Sequence, residues 1–170
     1  HLSTSSTHAD LISERFDLAI RLGRMHDSNL RAVQLSTFEI FAVASPALID
    51  AFDPASTLAA LAQWPALGHG RVGVLAVKDP EGVEHLYQPA PGKTTIVADN
   101  SITLRALAMS GQGVAILPQW LVEEDLQAGR LVRLLADHAF SQQGVYALYP
   151  DTRHLPLKVR AFIDFMKEWR

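Results

Sequence analysis

Residues 97–135, VADNSITLRALAMSGQGVAILPQWLVEEDLQAGRLVRLL, constrain the fold of this chain more than any other stretch. The pattern predicts the end of a strand at 96–98, a polar turn at Asp99, Asn100 and Ser101, a helix to about Ser110, and a short apolar strand at 114–117. Pro118 then opens a second helix. Apolar residues at 104, 107 and 108 share one helical face, Asn100 or Ser101 can cap its start, and Gly111 stands where a left-handed C-cap is wanted. Such a strand-helix-strand-helix unit aims the backbone N–H groups of its first helix, with the Asn100 and Ser101 side chains, at the carboxyl edge of the preceding strand. Small ligands sit at that edge in open α/β sheets.

Around this unit the pattern keeps alternating. Residues 8–15 suit a short helix or turn, and the dense apolar run in FDLAIRLG at 16–23 reads as a buried, parallel-type strand ended by Gly23. Two extended segments follow at 30–35 and 38–44, separated by Ser36 and Thr37. Ser45 and Pro46 read as N-cap and first residue of a short helix, and a second short helix covers about 57–63. Residues 71–77, 83–87 and 94–98 are β-rich, with a hairpin turn at 79–82. Beyond the central unit, Gly144 precedes the strand VYALY, and a closing helix spans 157–169 with Val159, Phe162, Ile163, Phe165, Met166 and Trp169 on its apolar face. Mixed α/β architecture follows. Because the β-rich region 71–98 interrupts the alternation, two lobes are expected, with the last strand and helix returning to the first.

Composition narrows the function classes. Hydrophobic residues at 48% and charged residues at 19% exclude a disordered chain, and 170 residues can bury a core. A net charge of −3 without a block of like charge gives no electrostatic footprint for DNA or an anionic membrane. The absence of cysteine excludes disulfides, thiolate metal sites and a cysteine nucleophile, and is compatible with a cytoplasmic location. No apolar run reaches the ~20 residues a membrane helix needs. A chain that begins at His1 in the polar run HLSTSST reads as a fragment or as one with a further front end.

Chemistry is sparse. The histidines at 1, 8, 26, 69, 85, 138 and 154 lack ligand spacing, so no metal is expected. There is no G-x-S-x-G elbow, Walker A or GxGxxG; Gly111-Gln112-Gly113 reads as a helix end and turn. Glu123, Glu124 and Asp125 fall in the first two turns of the second helix, where solvated carboxylates favour the helix dipole. Asn100 and Ser101 are explained equally by capping alone. Their functional reading gains from Ser45-Pro46 and from Gly23-Arg24, since three strand ends could converge on one cleft, where Arg24 would pair a carboxylate ligand and His69 would face the same space. This constellation binds and has no nucleophile-base pair.

Four blocks carry a family resemblance: FDLAIRLG at 16–23, FAVASPALI at 41–49, the stretch 97–135, and VYALYPDTRHLPLKVRAFIDFM at 145–166. Together, in this order, they resemble the effector-binding domain of LysR-type transcriptional regulators. The resemblance implies an α/β fold of two Rossmann-like subdomains joined by two crossover strands, like a type 2 periplasmic binding protein, with a small-molecule coinducer held between them. Subdomain I would comprise 1–43 plus 148–170, lacking its first strand and helix; subdomain II would be 44–147, and the crossovers would fall near 41–44 and 147–149. Ligand-binding residues implied by the resemblance are Leu22, Gly23, Arg24, Gly68, His69, Asn100, Ser101, Leu117 and Pro118. It implies no catalytic residue, no metal and no cofactor. The implied partners are a small effector, a carboxylate by the helix-start argument, and further copies in a homodimer or tetramer; DNA would be met only through a winged helix-turn-helix outside these residues, and no membrane is involved. Two alternatives stay open: a stand-alone solute-binding protein, which an upstream signal peptide would favour, and an α/β enzyme, whose turnover would vanish on changing Asn100, Ser101 or His69.

Overall fold

The central unit folds as its pattern predicts, into β7 (Thr94–Ala98), α3 (Ser101–Met109), β8 (Val114–Pro118) and α4 (Gln119–Gln127). The structure is a computed structural model and describes residues 1–4, 11–23, 30–52, 57–70, 72–151 and 155–168. The chain packs as two units, His1–Phe38 with Gln142–Arg170, and Glu39–Ser141. It passes from one to the other between Phe38 and Glu39 and returns between Ser141 and Gln142, a few residues before the expected crossovers at 41–44 and 147–149. Strand pairing sets these positions: residues 40–44 pair with strands of the second unit, and residues 143–150 pair with strands of the first.

In the first unit β1 (Ala19–Leu22), β11 (Gln143–Pro150) and β2 (Leu30–Phe38) form an antiparallel sheet in the order β1-β11-β2. The expectation of a buried parallel strand at 16–23 is corrected here. β1 runs antiparallel at the sheet edge, with Ile20 40% and Leu22 53% exposed. An apolar run cannot by itself separate a strand covered on both faces from an edge strand covered on one. β2 also continues through Ser36 and Thr37, where a break was expected, because these residues pair with Val145 and Gly144 beside an irregularity at Val145/Tyr146. Helix α5 (Leu157–Glu168) buries Val159 and Ile163 against Ala147, while Phe162 and Phe165 of its expected apolar face remain exposed. Trp169 and residues 8–10 lie outside the described residues; residues 11–15 form a turn.

The second unit is built on a five-stranded mixed sheet in the order β7-β4-β8-β3-β9, with β4 at Ala66–His69, β3 at Ile40–Ala44 and β9 at Val132–Leu134. β4 is parallel to β7 and β8, whereas β3 is antiparallel to both β8 and β9. A separate antiparallel sheet joins β10 (Ala139–Phe140), β5 (Leu75–Lys78) and β6 (Glu84–Tyr87). The β5–β6 turn is the expected one: the Asp79 carboxylate accepts the Val83 N–H at 2.8 Å, and Gly82 takes φ +84°. Short helices α1 (Pro46–Asp50) and α2 (Leu58–Leu61) start at Ser45 and Thr57, whose hydroxyls accept the Leu48 and Ala60 amides.

The core of this unit lies between the sheet and helices α3 and α4. Leu104 and Ala108 of α3 and Val122 of α4 pack on Phe41, Val43, Leu67, Ala115 and Leu117. Gly111 follows α3 at φ +77°, the left-handed residue its position predicts. The carboxylates of α4 need a correction. Glu123 and Glu124 are exposed as expected, but Asp125 is fully buried, receiving Arg105 of α3 through both Nε and Nη2 (2.9 Å for the latter) and Arg130 Nε at 2.7 Å. Arg105, first, and then Arg130 hold the Asp125 carboxyl below the ordinary 3.8 against the opposing effect of burial.

Candidate functional site

Three parallel strands deliver their carboxyl ends to one edge of the second unit's sheet. β4 ends there at His69, β7 at Ala98 and β8 at Pro118, and antiparallel β3 brings its amino end, Ile40, opposite Pro118. Backbone bonds close the edge: the Gly70 N–H donates to the Ala98 carbonyl at 3.0 Å and the Gln119 N–H to the Glu39 carbonyl at 2.9 Å. Helix α3 begins immediately beyond β7, so its amino terminus belongs to the same edge.

The details divide the helix start between two tasks. Asn100 is the N-cap, its Oδ1 accepting the Ile102 N–H at 2.8 Å and the Thr103 N–H at 3.4 Å. Capping therefore uses two of the amides a ligand could have taken. Ser101 is half-buried at the first helical position, its hydroxyl makes no hydrogen bond to a described residue, and the side-chain amide of Asn100 is exposed. A hydroxyl, an amide N–H and an amide group are thus the donors presented at the positive end of α3.

Of the other expected positions, Gly68 and His69 are half-buried on β4. A Cβ at Gly68 would stand 2.9 Å from Thr94 Cγ2 and 3.2 Å from Val97 Cγ2, so these β7 side chains fill the space that a larger residue on β4 would need. Leu117 is fully buried in the core, which leaves only its backbone at the edge; Pro118 is buried and starts α4 without a side-chain cap. Leu22 and Gly23 belong to the first unit, where Leu22 is 53% exposed and Gly23, at φ +92°, donates its N–H to the Gly144 carbonyl at 2.9 Å. Arg24 lies outside the described residues.

Ser45 does not join this group. Because β3 is antiparallel to β8, its carboxyl end lies at the opposite edge of the sheet, where the buried Ser45 hydroxyl caps α1 and a Cβ at Gly111, past the far end of α3, would be 3.4 Å from it. The three-way convergence expected from Ser45 thus fails on strand direction, which apolar periodicity does not encode.

Among the described residues, no group of three or more metal-ligating side chains occurs. His85 pairs with Asp79 and His138 with Asp137, each at 2.7 Å, and the His85 hydrogen bond draws the Asp79 carboxyl below its ordinary value. Sequence reasoning passed over Tyr87, a buried residue lining a pocket beside β4 and β8; as the last residue of an alternating strand it had no signal apart from its aromatic ring.

This edge gathers parallel strand ends and the start of a helix in one α/β unit. The chain belongs to the LysR substrate binding domain family, whose model matches residues 1–170. Among curated relatives, it is 37% identical over 162 residues to the HTH-type transcriptional regulator PtxR of Pseudomonas aeruginosa, covering 94% of this chain and 51% of that protein. The chain spans about half the length of the curated relatives it matches. Among solved structures, the CrgA regulatory domain of Neisseria meningitidis is similar at 30% identity and TM-score 0.72, over 93% of this chain and 77% of that one. Full-length AphB of Vibrio cholerae, a virulence activator of the LTTR family, gives 25% identity and TM-score 0.78 over 99% of this chain and 57% of that one. The fold is accordingly the two-lobed, periplasmic-binding-protein-like type 2 fold of LysR regulatory domains.

Proposed function

We propose that this chain senses a small effector for a LysR-type transcriptional regulator, and that a carboxylate effector binds at the sheet edge formed by Gly68, His69, Asn100, Ser101 and Pro118. The observation that carries this reading is Ser101: its hydroxyl has no hydrogen-bond partner among the described residues, and it sits at the positive end of a nine-residue helix. A carboxylate there accepts from the Ser101 amide and hydroxyl and from the Asn100 side chain.

Binding rather than turnover fits the same serine. A nucleophilic hydroxyl needs a base in hydrogen-bond contact, and the Ser101 hydroxyl bonds to no described residue. In the intact regulator an effector shifts the balance of states only by its differential affinity for them. The same reading takes that regulator to be a cytoplasmic homodimer or tetramer, meeting DNA through a part of the protein other than these residues.

A thermal-shift screen tests the ligand class, comparing small mono- and dicarboxylates with their uncharged amides. At about 100 times its Kd a bound carboxylate raises the melting temperature by roughly 5–10 °C. The Ser101→Ala chain should lose most of that rise. If the amides stabilise as strongly as the acids, the carboxylate assignment is wrong.

A further inference from the structure

The sheet face turned away from α3 carries a small cavity that is continuous with the edge already described. Alternation along the strands separates the two faces: Leu67, Ala115 and Leu117 enter the core under α3, while Ala66, Val114 and Ile116 turn to the cavity, whose other wall includes Val72, Leu75 and Tyr87. Burial distinguishes its base from its mouth. Ala66, Leu75, Tyr87 and Val114 are buried, whereas Gly68 and His69 are half-buried and Val72 is 46% exposed. The cavity therefore opens at the carboxyl end of β4, and Gly68 and His69 belong both to it and to the effector site. His69 pairs in register with Ala98, shortly before Ser101, so the mouth and the start of α3 lie on neighbouring strands, about 5 Å apart.

Size decides what can enter. The free volume is about 50 Å³. An apolar cavity of roughly 150 Å³ holds a benzene ring, so one about a third as large excludes a ring and takes about two or three carbons.

We infer that this cavity is the apolar arm of the effector site, and that the effector is an aliphatic carboxylate whose end remote from the carboxylate is an ethyl- or propyl-sized group held against Val72, Val114 and Ile116. The inference rests on the carboxylate reading of the Ser101 edge and narrows it to short aliphatic acids. The walls supply the driving force: each methylene taken from water into such surroundings tightens binding about fourfold until the space is filled. A further carbon then meets close-packed side chains, and the gain stops.

The test is an amide-resolved NMR titration of the 170-residue chain with the straight-chain acids from acetate to octanoate, and with their primary amides in parallel. Affinity should rise about fourfold per carbon over roughly two or three members of the series, reach a maximum and fall for longer acids. Saturable shifts at Gly68, Val114 and Ile116 should appear as the chain lengthens toward that maximum. Ile116→Ala shortens a wall side chain and should move the maximum up by about one or two carbons. The wild-type series decides by itself if that variant does not fold. Affinity that ignores chain length, that climbs to octanoate without a maximum, or that peaks at the same acid in wild type and in folded Ile116→Ala would overturn the assignment. The two readings fail separately. Amides that bind as tightly as the acids and peak at the same length would remove the carboxylate contact and support the cavity, while acids that shift Ser101 without regard to length would remove the cavity alone.

Discussion

Replacing Arg105 by methionine should destabilise the second unit by about 3–5 kcal/mol, and by more than replacing Asp125 with alanine does, although each change removes the same ion pair. The asymmetry follows from burial. Asp125 has no solvent exposure, while the side chains of Arg105 and Arg130 are 26% and 47% exposed. Removing Asp125 leaves two guanidinium groups that can turn to water. Without Arg105, by contrast, a carboxylate stays buried with Arg130 as its remaining side-chain partner. The pair also ties α3 to α4, so the change loosens the helix whose start carries Ser101. Unfolding by urea, followed through the buried Trp64 of the second unit, measures both variants.

The same pair sets an acid dependence. In the folded chain the Asp125 carboxyl lies below its ordinary 3.8, so its contribution is fully present above that value and is lost as pH falls through the lower, folded one. In Arg105→Met burial acts with less opposition, and the folded carboxyl moves up. The stability gap between wild type and variant should therefore narrow in acid, below about pH 4. A gap that is constant from pH 7 to pH 3 would mean that the pair does not control this carboxyl.

Gly113→Ala should be the other large loss, about 3 kcal/mol. A Cβ at this position would lie 2.9 Å from the Pro65 carbonyl oxygen and 3.2 Å from its carbon. Both are backbone atoms, and that same carbonyl accepts the Val114 N–H at 2.8 Å, the bond that seats β8 beside the start of β4. The chain cannot yield there without breaking the parallel pairing that makes the edge. Gly73→Ala is the comparison, because a Cβ there meets nothing within 4 Å, and its unfolding midpoint should stay near that of wild type.

Much of this was legible in the residues. The β7-α3-β8-α4 unit followed from Asn100, the apolar spacing at 104 and 108, Gly111 and Pro118, since caps and periodicity act locally. What was not legible depends on partners distant in sequence. The edge position of β1 and the direction of β3, which takes Ser45 away from Asn100, are decided by pairing with β11 and β8. Asp125 looked like a solvated helix carboxylate because Arg105, its main partner, lies 20 residues before it on another helix. β9 and β10, of three and two residues, are too short for any periodicity to register. Asn100 illustrates the limit within the site: its sequence position predicted both a cap and a ligand contact, and its Oδ1 is taken by the cap, leaving Ser101 as the stronger donor.

The most direct measurement is an amide-resolved titration of the chain with the carboxylate that stabilises it most. The account predicts saturable shifts concentrated at His69, Ser101, Ile102 and Gln119, around the carboxyl ends of β4, β7 and β8. Shifts gathered instead around Ser45 and Gly111 at the opposite edge of the sheet, with Ser101 unmoved, would contradict it.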